Sequence, residues 1–298
     1  MARYASSTQR REWTFSAAHI LESMREEARR GYVRHFPGRQ VMDAERERRF
    51  RRHYEEHIFR WARSEALQLP RYAAATAVML FKRFCLHNSL WEYDVEVLAR
   101  ACVYVAGKVE ENYRAAVRVD AEREGAILAH ELVVLEGVRF QAVCHHPYAL
   151  IAAAFPDFSD WPRVDAALVR TDAALLLSPA ALAMVLVGRE LGYHHAVWEG
   201  HEHERERSFA LVEQLMQQAA ADDEVANSDG DWKALYSFYL ANRNPLLNPN
   251  SPESLAQRQT EAAALEQQRQ RHREQVRARD RQRAALLTNG DGWGADLK

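Results

Sequence analysis

The chain has 298 residues, with 40 Lys and Arg against 42 Asp and Glu, a balance that argues against a general nucleic-acid binder, which carries a basic excess. An apolar share of 47% supports one large or two ordinary cores, and only 12 Gly and 9 Pro argue against a turn-rich β fold. Ala, Leu, Arg, Glu and Gln dominate, so an all-α protein is predicted. Cys85, Cys102 and Cys144 lie far apart without C-x-x-C spacing, as expected of a reducing compartment. No apolar run approaches the roughly 20 residues that span a bilayer. Met1 to Ser6 carry no apolar signal core, so a soluble cytosolic or nuclear protein is expected.

Residues 1–9 read as disordered. Trp13 and Phe15 stand out in this polar arm and are expected to dock on something. Ser16 is predicted to cap a helix over 17–30 whose face is Ile20, Leu21, Met24 and Ala28. After the break at Phe36-Pro37-Gly38, a charged helix is predicted over 43–67 with Asp43 as N-cap. Phe50, Tyr54, Ile58, Trp61 and Ala62 form its core face, and the Arg and Glu residues between them read as a solvated face.

The stretch from Leu69 to Arg139 organises the rest. Pro70 suits a first helical turn, and Ala73, Ala74, Ala75 and Ala77 alternate with Met79, Leu80, Phe81 and Phe84. A helix apolar on most sides, with Ala where backbones approach, is a buried centre. A second helix follows over 95–111, a short fourth element over 117–123, and a fifth helix over 124–138 with Ile127, Leu128, Leu132, Leu135 and Val138 as its apolar face.

An extended connector over 140–146 leads to a second set of helices, the first started by Pro147. Pro162 opens another with Val164, Ala167, Leu168 and Ala174, and Ser178-Pro179 caps an apolar one over 180–191. A polar His-rich stretch over 194–207 reads as an exposed loop. It is followed by a helix over 209–221, an acidic loop over 222–231, and a short helix over 232–241. Residues 244–252 read as a linker. From Ser251-Pro252 to Leu287 runs a long polar helix, Arg-rich from Arg269 on. It reads first as an exposed charged helix and second as a nuclear-localisation or acidic-partner segment. Disorder is expected from Thr288. The expected divisions are 1–42, 43–140, 141–243 and 244–298.

Pro70-Arg71, Phe81-Lys82-Arg83-Phe84, Asn88-Ser89 and Ala106-Gly107-Lys108-Val109-Glu110-Glu111, in this order, resemble a cyclin box. Arg11-Glu12-Trp13-Thr14-Phe15-Ser16 and His146-Pro147-Tyr148 make the chain similar to the H type of the cyclin family, from about Arg10 to Gly192. The resemblance implies two consecutive five-helix cyclin-box bundles, the second degenerate, flanked by N- and C-terminal helices. It implies a nuclear, non-enzymatic subunit that binds and activates a cyclin-dependent kinase of the CDK-activating type, acting on cell-cycle kinase activation segments and the RNA polymerase II C-terminal domain. A RING-finger assembly factor and general transcription factor IIH are the further partners it implies, with no cofactor, metal, membrane or direct nucleic-acid contact. By the family pattern Lys108 and Glu131 hydrogen-bond kinase backbone, Leu98, Cys102, Val105 and Ile127 lie beside them, and Trp13 and Phe15 supply an accessory contact. The segment between Tyr113 and Glu124 departs from the family's fourth helix, and the Met-Arg-Ala-Ile-Leu substrate-docking run of some cyclins is absent.

The alternatives are another transcriptional cyclin of the C type and a DNA-binding module of the general factor IIB type. The latter would carry an N-terminal zinc ribbon and a basic surface. His194, His195, His201 and His203 raise a metal-dependent enzyme, but without His-Glu-x-x-His spacing. Cys85 near His87 lacks a third orienting group and is expected to be core.

Overall fold

The computed structural model describes residues 2–112, 124–187, 202–226, 229–248 and 251–288, and among them every regular element is a helix. Residues Met1–Arg243 form one compact unit and Asn244–Lys298 a second. The short fourth element expected over 117–123, most of the His-rich stretch and the tail from residue 289 lie outside the described residues.

The N-terminal arm is helical where disorder was expected. Helices α1 (Ala2–Ala5) and α2 (Thr8–Glu12) are joined at Ser7, whose hydroxyl accepts from Arg10 N–H. They are held because Gln9, 1% exposed, exchanges hydrogen bonds with the backbone of His145 at 3.1 and 2.6 Å. A sequence window cannot contain a partner 136 residues away.

Helix α3 (Ala18–His35) begins after Ala17, which offers no capping side chain, so Ser16 is not the cap. Its buried stripe is Leu21, Arg25, Arg29 and Tyr32 rather than the purely apolar face expected. Helix α4 (Ala44–Ala62) is capped by Asp43 as predicted but ends five residues before Leu67. Its supposedly solvated face is also corrected: Glu47, Arg51, Arg52 and Glu55 are all buried. Each meets opposite charge. Arg29 lies 3.3 Å from Glu47, Arg25 lies 2.8 Å from Asp172, and Lys82 lies 2.5 Å from Glu55 and 3.6 Å from Asp172. Burial works against the Asp172 carboxylate, but Arg25, Lys82 and Arg51 around it hold it well below the usual range.

Helix α5 (Arg71–His87) is the centre, buried at every position from Ala73 to Leu86. It packs on α3, α4, α6 (Val95–Val109) and α7 (Glu124–Gly137). The small residues at its N-terminal half permit those close approaches. Against its other end, a Cβ at Gly137 would collide with the Phe84 ring, so only glycine lets α7 lie this close.

The second set comprises α8 (Tyr148–Ala154), α9 (Trp161–Arg170), α10 (Ala173–Leu176), α11 (Pro179–Val187), α12 (Glu202–Ala226) and α13 (Asp229–Asn242). Ser178 Oγ accepts from Ala181 N–H at 3.1 Å, the cap predicted there. The expected loops over 202–207 and 222–226 are helical instead, within α12. Asp222 is buried, 3.1 Å from Arg48 and 3.2 Å from Arg52, so α4 draws it out of solvent.

In the second unit, Ser251 caps α14 (Pro252–Thr288) through a 3.0 Å bond from Ser254 N–H. Residues 255–281 of α14 are exposed within their unit. Among the described residues, no helix is long and apolar enough to cross a membrane.

Candidate functional site

Helices α6 and α7 lie side by side, and their outer surface carries the candidate pair. Lys108 sits in the last turn of α6. That turn is closed by Asn112 N–H on Gly107 O at 2.7 Å and Glu111 N–H on Lys108 O at 3.1 Å, with Glu111 at φ 54. This is the Schellman pattern of a helix C-terminus, here with glutamate where glycine is usual. Lys108 Nζ donates to Glu131 Oε1 across to α7 and rests 5.4 Å over the Tyr104 ring. The hydrogen bond to Glu131 raises the Lys108 pKa, so the ammonium is held in its charged form. The side chains are 43% and 25% exposed, so they remain open to a partner.

Around the pair the structure changes the expected apolar residues. Leu98, Cys102, Val105 and Ile127 are enclosed in the core at 0–2% exposure and present no surface. Leu128 and Leu132, expected in the core, are instead 42% and 54% exposed. Ile127 and Val134, with Val138 just past the helix end, form the inward face of α7, and Leu128, Glu131 and Leu132 fall on the outward one. The signal available in sequence was that Leu128 and Leu132 are four apart, with Glu131 between them on the same side.

Helix α7 ends in a second Schellman pattern: Phe140 N–H on Leu135 O at 2.7 Å and Arg139 N–H on Glu136 O at 2.8 Å. Arg139 and Phe140 both have positive φ, 56 and 58, and Phe140 is 65% exposed.

Trp13 is 1% exposed and docks within its own unit. Its Nε1–H donates to Gln141 Oε1 at 2.5 Å, the Arg83 guanidinium lies 5.3 Å from its ring, and His87 meets it edge-on. Phe15 is half-buried and its N–H donates to Leu175 O at 2.7 Å. Both residues therefore clamp the N-terminal arm to this unit.

Two residues beyond Lys108, Glu110 accepts a 2.6 Å bond from the Thr76 hydroxyl, which lies 2.9 Å from His146 Nε2. Burial raises the Glu110 carboxyl. Cys85 and Cys102 are fully buried, and burial raises both thiols, so neither is a ready nucleophile. Among the described residues, no three His, Cys, Asp or Glu side chains converge as metal ligands. His194, His195 and His201 lie outside those residues, and His203 is exposed on α12.

The cyclin N-terminal domain family matches residues 19–142, a span containing Lys108 and Glu131. Cyclin-H of Xenopus laevis is 26% identical over 216 residues, covering 62% of this chain and 67% of that protein. Cyclin CCL1 of Saccharomyces cerevisiae is 31% identical over 101 residues, covering 33% of this chain and only 25% of its own length. Among solved structures, a chain of the CAK complex of Chaetomium thermophilum bound to ATP-gamma-S superposes with a TM-score of 0.57 at 21% identity, covering 88% of this chain and 95% of that one. Residues 19–142 are a cyclin N-terminal domain.

Proposed function

We propose that this chain is a cyclin H-like regulatory subunit that binds and activates a cyclin-dependent kinase of the CDK-activating type. The observation that carries the reading is the exposed Lys108–Glu131 pair flanked by exposed Leu128 and Leu132. As a surface ion pair it contributes about 0–1 kcal/mol to the fold. Covered by a partner, truncation of either charge costs about 2–5 kcal/mol of binding. The leucines supply apolar area on both sides, and Lys108 supplies donors to kinase carbonyls.

The mechanism is a population shift. A protein kinase transfers phosphate only when its Lys–Glu ion pair and metal-binding Asp are aligned. A subunit that binds the aligned state more tightly moves the equilibrium toward it without adding a catalytic group. The family likeness further supports a nuclear complex with a RING-finger assembly factor and general transcription factor IIH. Its substrates on this reading are cell-cycle kinase activation segments and the RNA polymerase II C-terminal domain.

The test is co-purification from the organism's own cells with a kinase assay of the bound material. Wild type is compared with Lys108→Ala, Glu131→Ala and Leu132→Asp. The reading expects kinase activity to arrive with wild type and to fall at least tenfold with each variant. Equal recovery with all four proteins removes the site, and promoter DNA in place of a kinase removes the cyclin function.

A further inference from the structure

Lys108 is carried by the last turn of α6, and the bonds that close this turn do not anchor it. Asn112 N–H to Gly107 O and Glu111 N–H to Lys108 O are internal to the turn and move with it. Glu111 closes it at φ 54, a left-handed conformation that is costly for a residue with a Cβ. Such a turn persists where the surrounding structure holds it.

A tie to those surroundings starts two residues beyond Lys108. At 3.6 residues per turn, positions 108 and 110 lie about 200° apart around the helix, so Glu110 faces inward while Lys108 faces out. Glu110 Oε1 accepts from the Thr76 hydroxyl at 2.6 Å, and Thr76 lies on α5 with 0% exposure. His146 Nε2 is 2.9 Å from the same hydroxyl oxygen. A hydroxyl has one proton, and Thr76 gives it to Glu110, so Nε2 carries the ring proton and donates to Thr76. Burial, with Arg83 nearby, lowers the His146 pKa to about 3, which keeps the ring neutral and Nδ1 bare. The donors therefore run one way, from His146 to Thr76 to Glu110. They join the connector before α8 and the central helix α5 to the end of α6. A bond to a carboxylate is stronger than a neutral one, and bonds in a buried series reinforce one another.

We propose that Glu110, held by Thr76 and His146, is a positioning residue for the partner site: it fixes the end of α6 so that Lys108 Nζ stays within reach of Glu131 and of the kinase. The inference rests on the kinase reading above. Glu110 acts through the backbone of its turn, and Thr76, with no exposed surface, cannot touch the kinase itself. Without the Thr76 hydroxyl the turn is freed, Lys108 samples other positions, and binding must restore the lost order. Affinity for the kinase therefore falls, while the activity of the bound kinase does not change.

The experiment is a titration. The kinase that co-purifies with the wild-type chain is freed from it in high salt and titrated with purified full-length chains. Phosphorylation of the RNA polymerase II C-terminal domain is followed. The half-saturating concentration reads affinity and the plateau reads activation. Thr76→Val and Thr76→Ser are each compared with wild type, with and without Lys108→Ala. Thr76→Val keeps the shape and loses the hydroxyl. It should raise the half-saturating concentration about fivefold or more with the plateau unchanged, and Thr76→Ser should stay within about twofold of wild type. In the Lys108→Ala background, Thr76→Val should add less than about twofold, because the group that it positions is gone. Circular-dichroism melts check folding, and Glu110→Ala, at a half-buried position, takes the place of Thr76→Val in the same cycle if that variant does not fold. An unchanged half-saturating concentration, an equal rise in both backgrounds, a lowered plateau alone, or a serine variant as weak as the valine one overturns the proposal. The kinase reading survives each of these results so long as Lys108→Ala by itself weakens binding. No effect of Lys108→Ala removes that reading and the proposal with it.

Discussion

Glu55→Gln keeps the size of the side chain and removes its charge from beside Lys82. Lys82 is 1% exposed, the Glu55 side chain 5%, and Nζ lies 2.5 Å from Oε2. At an effective dielectric constant near 20, the attraction lost is roughly 6–7 kcal/mol before any desolvation is counted. Asp172, 3.6 Å from Nζ, remains and supplies roughly 4–5 kcal/mol on the same scale. Breaking a buried pair costs about 3–5 kcal/mol, and the surviving neighbour places this variant near 3. Urea unfolding followed by circular dichroism should show a midpoint lower by about 1 M, for a slope near 3 kcal/mol per M. The double variant Glu55→Leu with Lys82→Met should recover most of the loss, because neither charge is then left buried. A loss below about 0.5 kcal/mol in Glu55→Gln would mean that water reaches Lys82. A double variant no better than the single would refute the charge argument altogether.

Gly137→Ala places a methyl group against the Phe84 ring and should destabilise by about 1–3 kcal/mol in the same urea assay. An unchanged midpoint would show that α7 is free to move away. Arg139→Gly relieves a left-handed residue at the end of α7 and should stabilise by about 0.5 kcal/mol, after allowance for glycine's extra freedom when unfolded. A loss instead would mean that the arginine side chain matters more than the strain. Burial, with nearby positive charge, lowers the pKa of His53 to about 4 and of His146 to about 3. Both bind protons more tightly when unfolded. Their contribution is therefore complete above the ordinary histidine pKa near 6.5 and is lost as pH falls from there toward 3. Melting temperature should fall between pH 7 and pH 5. His53→Phe, which preserves a ring to stack on Trp232, should make that fall shallower, and an unaltered slope would exclude His53 as a source.

The all-helical class and the central place of α5 were legible in the sequence, because Ala-rich, all-round apolar segments have no other stable environment. The caps at Asp43, Ser178 and Ser251 were legible too, since each acts within three residues of itself. Lys108 and Glu131 were found through family likeness; their pairing across two helices is a matter of packing. The orientation of α7 could not be read. Ile127, Leu128, Leu132 and Leu135 fit an inward face by spacing alone, and the packing against α6 and Phe84 turns Leu128 and Leu132 outward. Arg25 and Arg29 look like solvent-facing residues in any helical pattern. They are buried because Asp172 and Glu47 arrive from elsewhere in the chain to neutralise them. By itself, then, the sequence determined which segments are helical and which is central, since propensity, caps and apolar periodicity act within a few residues. Tertiary structure alone decided which charges are enclosed and which leucines face out, since burial depends on partners that no local window contains.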